Sequence, residues 1–203
     1  MLTMTYKIEG FIKIYDPNTG EILEEKKNAI NYEVMSEAIA DSLSGRGYGE
    51  IYKMAFGNGG SSVDITGVIS YLPPNDTGQN ADLYNRTYEK IVDDKSVFNL
   101  DPTRNKMIVS HTTGKVYTDI LVQCLLDYGE PAGQAAFDNG TQDSSYVFDE
   151  LGLLANNGTD VDGNVLTKLM THVIFHPVQK SLNRQIQVDY TLRIQSLTNL
   201  VTI

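Results

Sequence analysis

The sequence has one cysteine, no tryptophan and three histidines, and these scarcities narrow the functions open to it. With Cys124 alone, neither an intrachain disulfide nor a thiolate metal cluster is available. Cys124 lies in the run Asp119-Ile120-Leu121-Val122-Gln123-Cys124-Leu125-Leu126, where a small buried side chain is expected rather than a nucleophile. That usage fits synthesis in a reducing cytoplasm. Long apolar runs are also missing. None reaches the roughly 18 residues of a transmembrane helix, and Met1 to Lys7 lacks the layout of a secretory signal. Positive charge is short, with 16 Lys and Arg against 26 Asp and Glu, a formal net charge of -10. That is the wrong sign for displacing counterions from nucleic acid or for docking on an anionic membrane, so neither is expected as a direct partner.

Catalytic patterns are missing as well. There is no phosphate-binding P-loop, no dinucleotide fingerprint, no His-Glu-x-x-His and no Gly-x-Ser-x-Gly elbow. Gly57-Asn58-Gly59-Gly60 is followed by no amphipathic helix, and so reads as a tight turn. His172 and His176 are four apart in a β-branched run ending at Pro177, which on a strand places them about 13 Å apart, too far to share an ion. His111 lies elsewhere. Asp160-Val161-Asp162-Gly163 has the oxygens of a calcium loop but not its closing Glu or flanking helices, and reads as an acidic turn. Asp149 and Glu150 are adjacent on a strand pattern, where neighbours point to opposite faces, so they are not expected to act as an acid–base pair. Asn-x-Thr sequons at Asn75, Asn85, Asn139 and Asn157 would matter only in a secretory pathway. No catalytic residue, metal or cofactor is expected.

What is present is alternation. Tyr6, Ile8, Ile12 and Ile14 share one face against Lys7, Glu9 and Lys13. After the turn Asp16-Pro17-Asn18-Thr19-Gly20 a second strand returns, giving an N-terminal β-hairpin over 1–30. One helix follows over about 31–44. Asn31 is its N-cap, Glu33 sits in its first turn and Gly45 is its stop, with Met35, Ala38, Ile39, Ser42 and Leu43 on one face. A strand from Ile51 to Phe56 precedes a long loop over about 61–83, rich in Gly, Pro, Asn and Asp. Strand patterns then recur: Val116 to Leu126, Tyr146 to Ala155, Leu166 to Phe175, and Gln185 to Gln195 with the cleanest alternation of all. The fold class is mainly β (α+β), an antiparallel β-sandwich or barrel-like domain over 31–203 with the one helix packed on it.

Five stretches in order carry a resemblance. They are the helix from Asn28 to Leu43, then Ile51-Tyr52-Lys53-Met54-Ala55-Phe56-Gly57-Asn58-Gly59-Gly60 and Ala81-Asp82-Leu83-Tyr84-Asn85-Arg86-Thr87-Tyr88, then Phe148-Asp149-Glu150-Leu151-Gly152-Leu153 with the segment from Leu166 to Tyr190, including His176-Pro177-Val178-Gln179-Lys180. This order resembles the N-terminal region of tail-collar and tail-fibre proteins of tailed phages. There a helix precedes a strand ending in a "GdG"-like turn, followed by an "L-x-N-E-x-Y/R" element, an "E-x-G-L" strand and a "P-x-x-K"-like turn. The resemblance implies a structural subunit of a virion, made in the host bacterial cytoplasm, that forms a homo-oligomeric ring and meets other virion proteins. The extra opening hairpin, and an end at Ile203 without a repetitive shaft, imply an adaptor of the collar, neck, baseplate or fibre-attachment region rather than a fibre.

Contact with other subunits is expected at the hairpin, through Tyr6, Ile8, Ile12 and Ile14 and an open strand edge. It is expected also at the 61–83 loop, including Tyr71 with nearby Tyr84, and at the loop from Gly129 to Ser145. The alternatives are a capsid-associated decoration or cement protein, and a host-surface glycan-binding module using Tyr71, Tyr84 and Tyr88.

Overall fold

The structure, a computed structural model, describes residues 5–131 and 145–197. In chain order the elements are β1 (Thr5–Tyr15), β2 (Ile22–Lys27), β3 (Ala29–Ile30), α1 (Tyr32–Ser44), β4 (Ile51–Gly57), β5 (Ser61–Val63) and β6 (Ile69–Tyr71). They continue with β7 (Arg86–Ile91), β8 (Lys106–His111), β9 (Tyr117–Leu126), β10 (Ser145–Thr159), β11 (Val165–Leu169), β12 (Thr171–Ser181) and β13 (Ile186–Leu197). The expected class is observed: antiparallel sheets pack together, with one helix among the described residues.

One sheet runs β2-β1-β13-β9-β8 and the other β3-β12-β10-β4-β7, with β11 paired to the far half of β10. β1 pairs with β13 along its whole length, from Thr5 opposite Leu197 to Tyr15 opposite Gln187. The opening hairpin is therefore built into the sheet rather than standing as a unit over 1–30, and of its two strands β2 lies at a sheet edge among the described residues.

The inner faces form one core. β1 contributes Ile12 and Ile14, β9 Val122, Cys124 and Leu126, and β13 Val188, Tyr190 and Leu192. Facing them are Met54 and Phe56 of β4, Phe148 and Leu153 of β10, and Val173 and Phe175 of β12. Phe148 meets Phe56 and Phe175 edge-on, at ring-centroid distances of 5.4 and 5.8 Å. Each such side chain contributes roughly 1.5–3 kcal/mol by leaving water. This packing corrects one expectation. Ile12 and Ile14 are 3% and 0% exposed; the pairing of β1 with β13 turns them inward, out of reach of another subunit.

β4 is covered on both sides. Met54 and Phe56 enter the main core, whereas Ala55 joins Leu83, Leu154 and Leu169 in a small second core on the outer face. The segment around Leu83 thus lies over the outer face of the six-stranded sheet.

α1 begins and ends as its caps predict. The Asn31 side chain accepts from the Val34 N–H, and Gly45 adopts the left-handed conformation at φ 65°. Val34, Met35 and Ala38 enter the core, but Ile39 and Leu43 do not; Leu43 is 84% exposed. Asn31 is fully buried and also donates from Nδ2 to the Gly78 carbonyl at 2.9 Å. Asn31→Ala removes the cap and strands that carbonyl, so a loss of about 2 kcal/mol is expected in urea unfolding, with an unchanged m-value.

Candidate functional site

The 61–83 segment is not structureless. β5 and β6 form a hairpin, with Ser61 opposite Tyr71 and Val63 opposite Ile69. Its tip is closed by Asp64, whose Oδ1 accepts from the Thr66 hydroxyl and from the backbone N–H groups of Thr66 and Val68. The Thr66 hydroxyl, then those N–H groups, hold the Asp64 carboxyl below its usual range. Gly67 supplies the positive φ of 84° that the turn needs. The hairpin presents apolar side chains to solvent: Val63, Ile65, Val68, Tyr71 and Leu72 are all exposed, Ile65 completely.

Two adjacent carboxylates fix its base. The β10 register slips between Phe148 and Glu150, where β12 advances from Val178 to Ile174. This bulge reverses the alternation of β10. Tyr146 and Phe148 point into the core before it, and Leu151 and Leu153 after it. Asp149 and Glu150 therefore do not diverge as strand neighbours should; both reach the turn after β4. Asp149 accepts from the N–H groups of Gly60 (3.0 Å) and Ser61 (2.8 Å) and from the Ser61 hydroxyl. Glu150 Oε1 accepts from the N–H groups of Gly59 (3.0 Å) and Asn85 (2.8 Å). Its Oε2 accepts from the Tyr84 N–H and meets His172 Nε2, both at 2.9 Å.

The His172 tautomer follows from its other side. The Asn75 N–H donates to Nδ1 at 2.8 Å. Nδ1 is thus the acceptor, and the proton on Nε2 is donated to Glu150. Burial pushes the Glu150 carboxyl up, but the hydrogen bonds from His172 and from the Asn85, Tyr84 and Gly59 N–H groups outweigh it and hold it below its usual range. All four lone-pair directions of this carboxylate are occupied. Its hydrogen-bonding capacity is thus taken up within the fold. It serves as a clamp that joins β4, the segment before β7, β10 and β12.

Two of the tyrosines expected at contacts, Tyr71 and Tyr84, belong to this region. Tyr71 is half exposed, with its hydroxyl 3.2 Å from His176 Nδ1 and Lys26 Nζ 5.6 Å from its ring centroid. Tyr84 donates to the Pro73 carbonyl at 2.8 Å and lies beside the His172 ring. Tyr6 is exposed at the start of β1, in the other sheet, and Ile8 is half-buried there. The loop from Gly129 to Ser145 lies almost wholly outside the described residues.

Elsewhere, Ile39 and Leu43 of α1 face Ile8, Met107, Val109 and Ile194 across an open apolar cleft of about 500 Å³. Cys124 is buried, and desolvation pushes its thiol up to about 12. Among the described residues no three His, Cys, Asp or Glu side chains converge as a metal site would require, and no helix is long and apolar enough to cross a membrane. The Asp160 turn is closed on itself, Oδ1 accepting from the Asp162 and Asn164 N–H groups. No family model, curated protein or solved structure matches this chain. Function is therefore read from its own geometry.

The clamp escapes a reading that assumes unbroken alternation. The signal that could have revealed it is in the sequence: apolar residues occupy even positions at Tyr146 and Phe148 and odd ones at Leu151 and Leu153.

Proposed function

We propose that the protein is a structural subunit of a tailed-phage virion, an oligomeric adaptor in the collar, neck, baseplate or fibre-attachment region. One observation carries this reading: an apolar hairpin, β5–β6, stands exposed on a base made rigid by the Asp149–Glu150 clamp. A solvated loop needs neither the apolar tip nor the buried anchor. A docking element benefits from both, because a pre-ordered hairpin loses little entropy on binding. Three of the motifs on which the resemblance to tail-collar and tail-fibre proteins rests meet at this base. Gly57 to Gly60, Tyr84-Asn85 and Asp149-Glu150 are far apart in the chain yet form one hydrogen-bonded joint.

The test is position in the particle, combined with a substitution at the tip. In purified tailed particles dissociated into heads and tails, the protein is expected in the tail fraction. Ile65→Asp is expected to keep wild-type stability to within about 0.5 kcal/mol, as for other exposed sites, and to be lost from particles. Recovery only with heads would indicate a decoration protein. Absence from particles, with glycan binding by the isolated monomer, would overturn the reading.

A further inference from the structure

A sheet that ends in solvent offers unpaired N–H and C=O groups to any passing strand, and proteins normally blunt such edges with charge, proline, bulges or brevity. The terminal strands here differ in this respect. β3 has two residues. β2 reads Ile-Leu-Glu-Glu-Lys-Lys and β7 Arg-Thr-Tyr-Glu-Lys-Ile. β11, off the main path, is tied to α1 by the ion pair of Lys168 with Glu37 at 2.8 Å. β8 reads Lys-Met-Ile-Val-Ser-His: six residues with one formal charge, no proline and an unbroken register against β9 from Lys106–Gln123 to His111–Thr118. Ile108 is 39% and Val109 69% exposed. Among the described residues, β9 is the only strand paired with β8.

We propose that the β8 edge pairs antiparallel with β8 of a second copy of this chain, joining two five-stranded sheets into one of ten. This deepens the oligomeric reading above and rests on it only for the expectation that copies meet.

The choice of a second copy as occupant follows from charge and parity. Along an antiparallel strand, successive residues turn their backbone groups alternately to one neighbour and the other. The outward-facing residues of an edge thus share one parity, and a two-fold axis between identical strands must set one residue opposite itself. At the middle of β8 that residue is Ile108 or Val109. The first axis sets Lys106 opposite Ser110, and the second sets Met107 opposite His111. Neither brings like charges together. At the middle of β2, Glu24 or Glu25 would face itself; at the middle of β7, either Glu89 would face itself or Arg86 would face Lys90. Like charges directly opposite one another are destabilising. On either axis the hairpin edge that the sequence first suggested thus sets a carboxylate opposite itself, a contact that β8 does not make. Met107 and Val109 also line the apolar cleft beside α1, so the edge continues into an apolar surface.

A six-residue pairing is a small interface between bodies each of net charge -10. Association is thus expected to depend on concentration and, unlike an interface built on ion pairs, to tighten as salt screens the mutual repulsion. Sedimentation of the full-length chain over a concentration series is expected to show a monomer–dimer equilibrium that shifts toward dimer with added sodium chloride. Ile108→Lys combined with Val109→Lys, both exposed, is expected to weaken it roughly tenfold or more. Single cysteines give the geometry, since Cys124 is buried. Ile108→Cys or Val109→Cys, whichever lies on the axis, forms an intermolecular disulfide under mild oxidation, and Glu25→Cys on β2 does not.

A monomer at every concentration and salt overturns the pairing, and the multi-copy reading then stands or falls on the particle fractionation alone. Oligomers that ignore the lysine pair and cross-link through Glu25→Cys or Ile65→Cys overturn the β8 interface while keeping the multi-copy reading.

Discussion

Glu150→Gln is expected to lower the unfolding free energy by about 4 kcal/mol, read as a shift in the urea midpoint. Glu150 is fully buried and accepts from the N–H groups of Gly59, Tyr84 and Asn85 and from His172 Nε2. An amide of the same size keeps one accepting oxygen and turns its NH₂ toward donors that need an acceptor. About two of the four are left without a partner, at roughly 1–3 kcal/mol each. The pH dependence separates this account from simple loss of packing. The carboxyl is held below its ordinary value of 4.5 in the fold. Its contribution is therefore complete above 4.5 and disappears as pH falls through the lower folded value. Wild type is expected to lose stability across that acid window, and Glu150→Gln to lack that part of the loss. A midpoint shift worth less than about 1 kcal/mol would mean that the turn after β4 finds other acceptors, and the clamp would then not be what fixes the hairpin.

Legibility of these features from sequence depends on how local their causes are. The alternation of β13 is readable because one face is buried and the other is not, a difference that each residue carries by itself. The caps of α1 are readable for the same reason, since Asn31 and Gly45 act on backbone within one turn. Non-local causes are hidden. The common face of Ile8, Ile12 and Ile14 is evident, but whether it meets the core or a neighbour depends on β13, which is nearly the whole chain away. Ile39 and Leu43 continue an apolar helical stripe that the sheet does not reach to cover. Strands β5 and β6, three residues each, fall below what periodicity can resolve, and the Asp64 side chain closing their turn gives no pattern. Asp149 and Glu150 are hidden because a single bulge changes the parity on which the reading of strand faces depends. Of the candidate contacts, Tyr71 and Tyr84 lie where a neighbour could meet them, whereas Ile12 and Ile14 are occupied by the core.

Gly152→Ala is expected to destabilise by about 3 kcal/mol, although the change is one methyl group in an extended strand. The glycine needs no special backbone conformation; the constraint is space. A Cβ there would lie 2.4 Å from the Thr171 carbonyl oxygen and 2.6 Å from Leu169 Cδ1. The first of these is backbone and cannot rotate away. Thr171 is pinned by pairing with Ile30, and its hydroxyl accepts from the Leu153 N–H at 3.0 Å. Relief therefore requires β10 and the start of β12 to separate. His172 follows Thr171 directly, so the same movement carries the imidazole away from Glu150 and loosens the hairpin base. Limited proteolysis is thus expected to cut within 61–83 faster in Gly152→Ala than in wild type, at temperatures where both remain folded. Gly20→Ala provides the contrast. Gly20 has a φ of 75° with nothing within 4 Å of its Cβ position, so about 1 kcal/mol of backbone strain is expected there and no change in cleavage. Equal losses at the two positions, with unchanged cleavage, would mean that β10 and β12 yield to the methyl and that the hairpin base does not depend on their close approach.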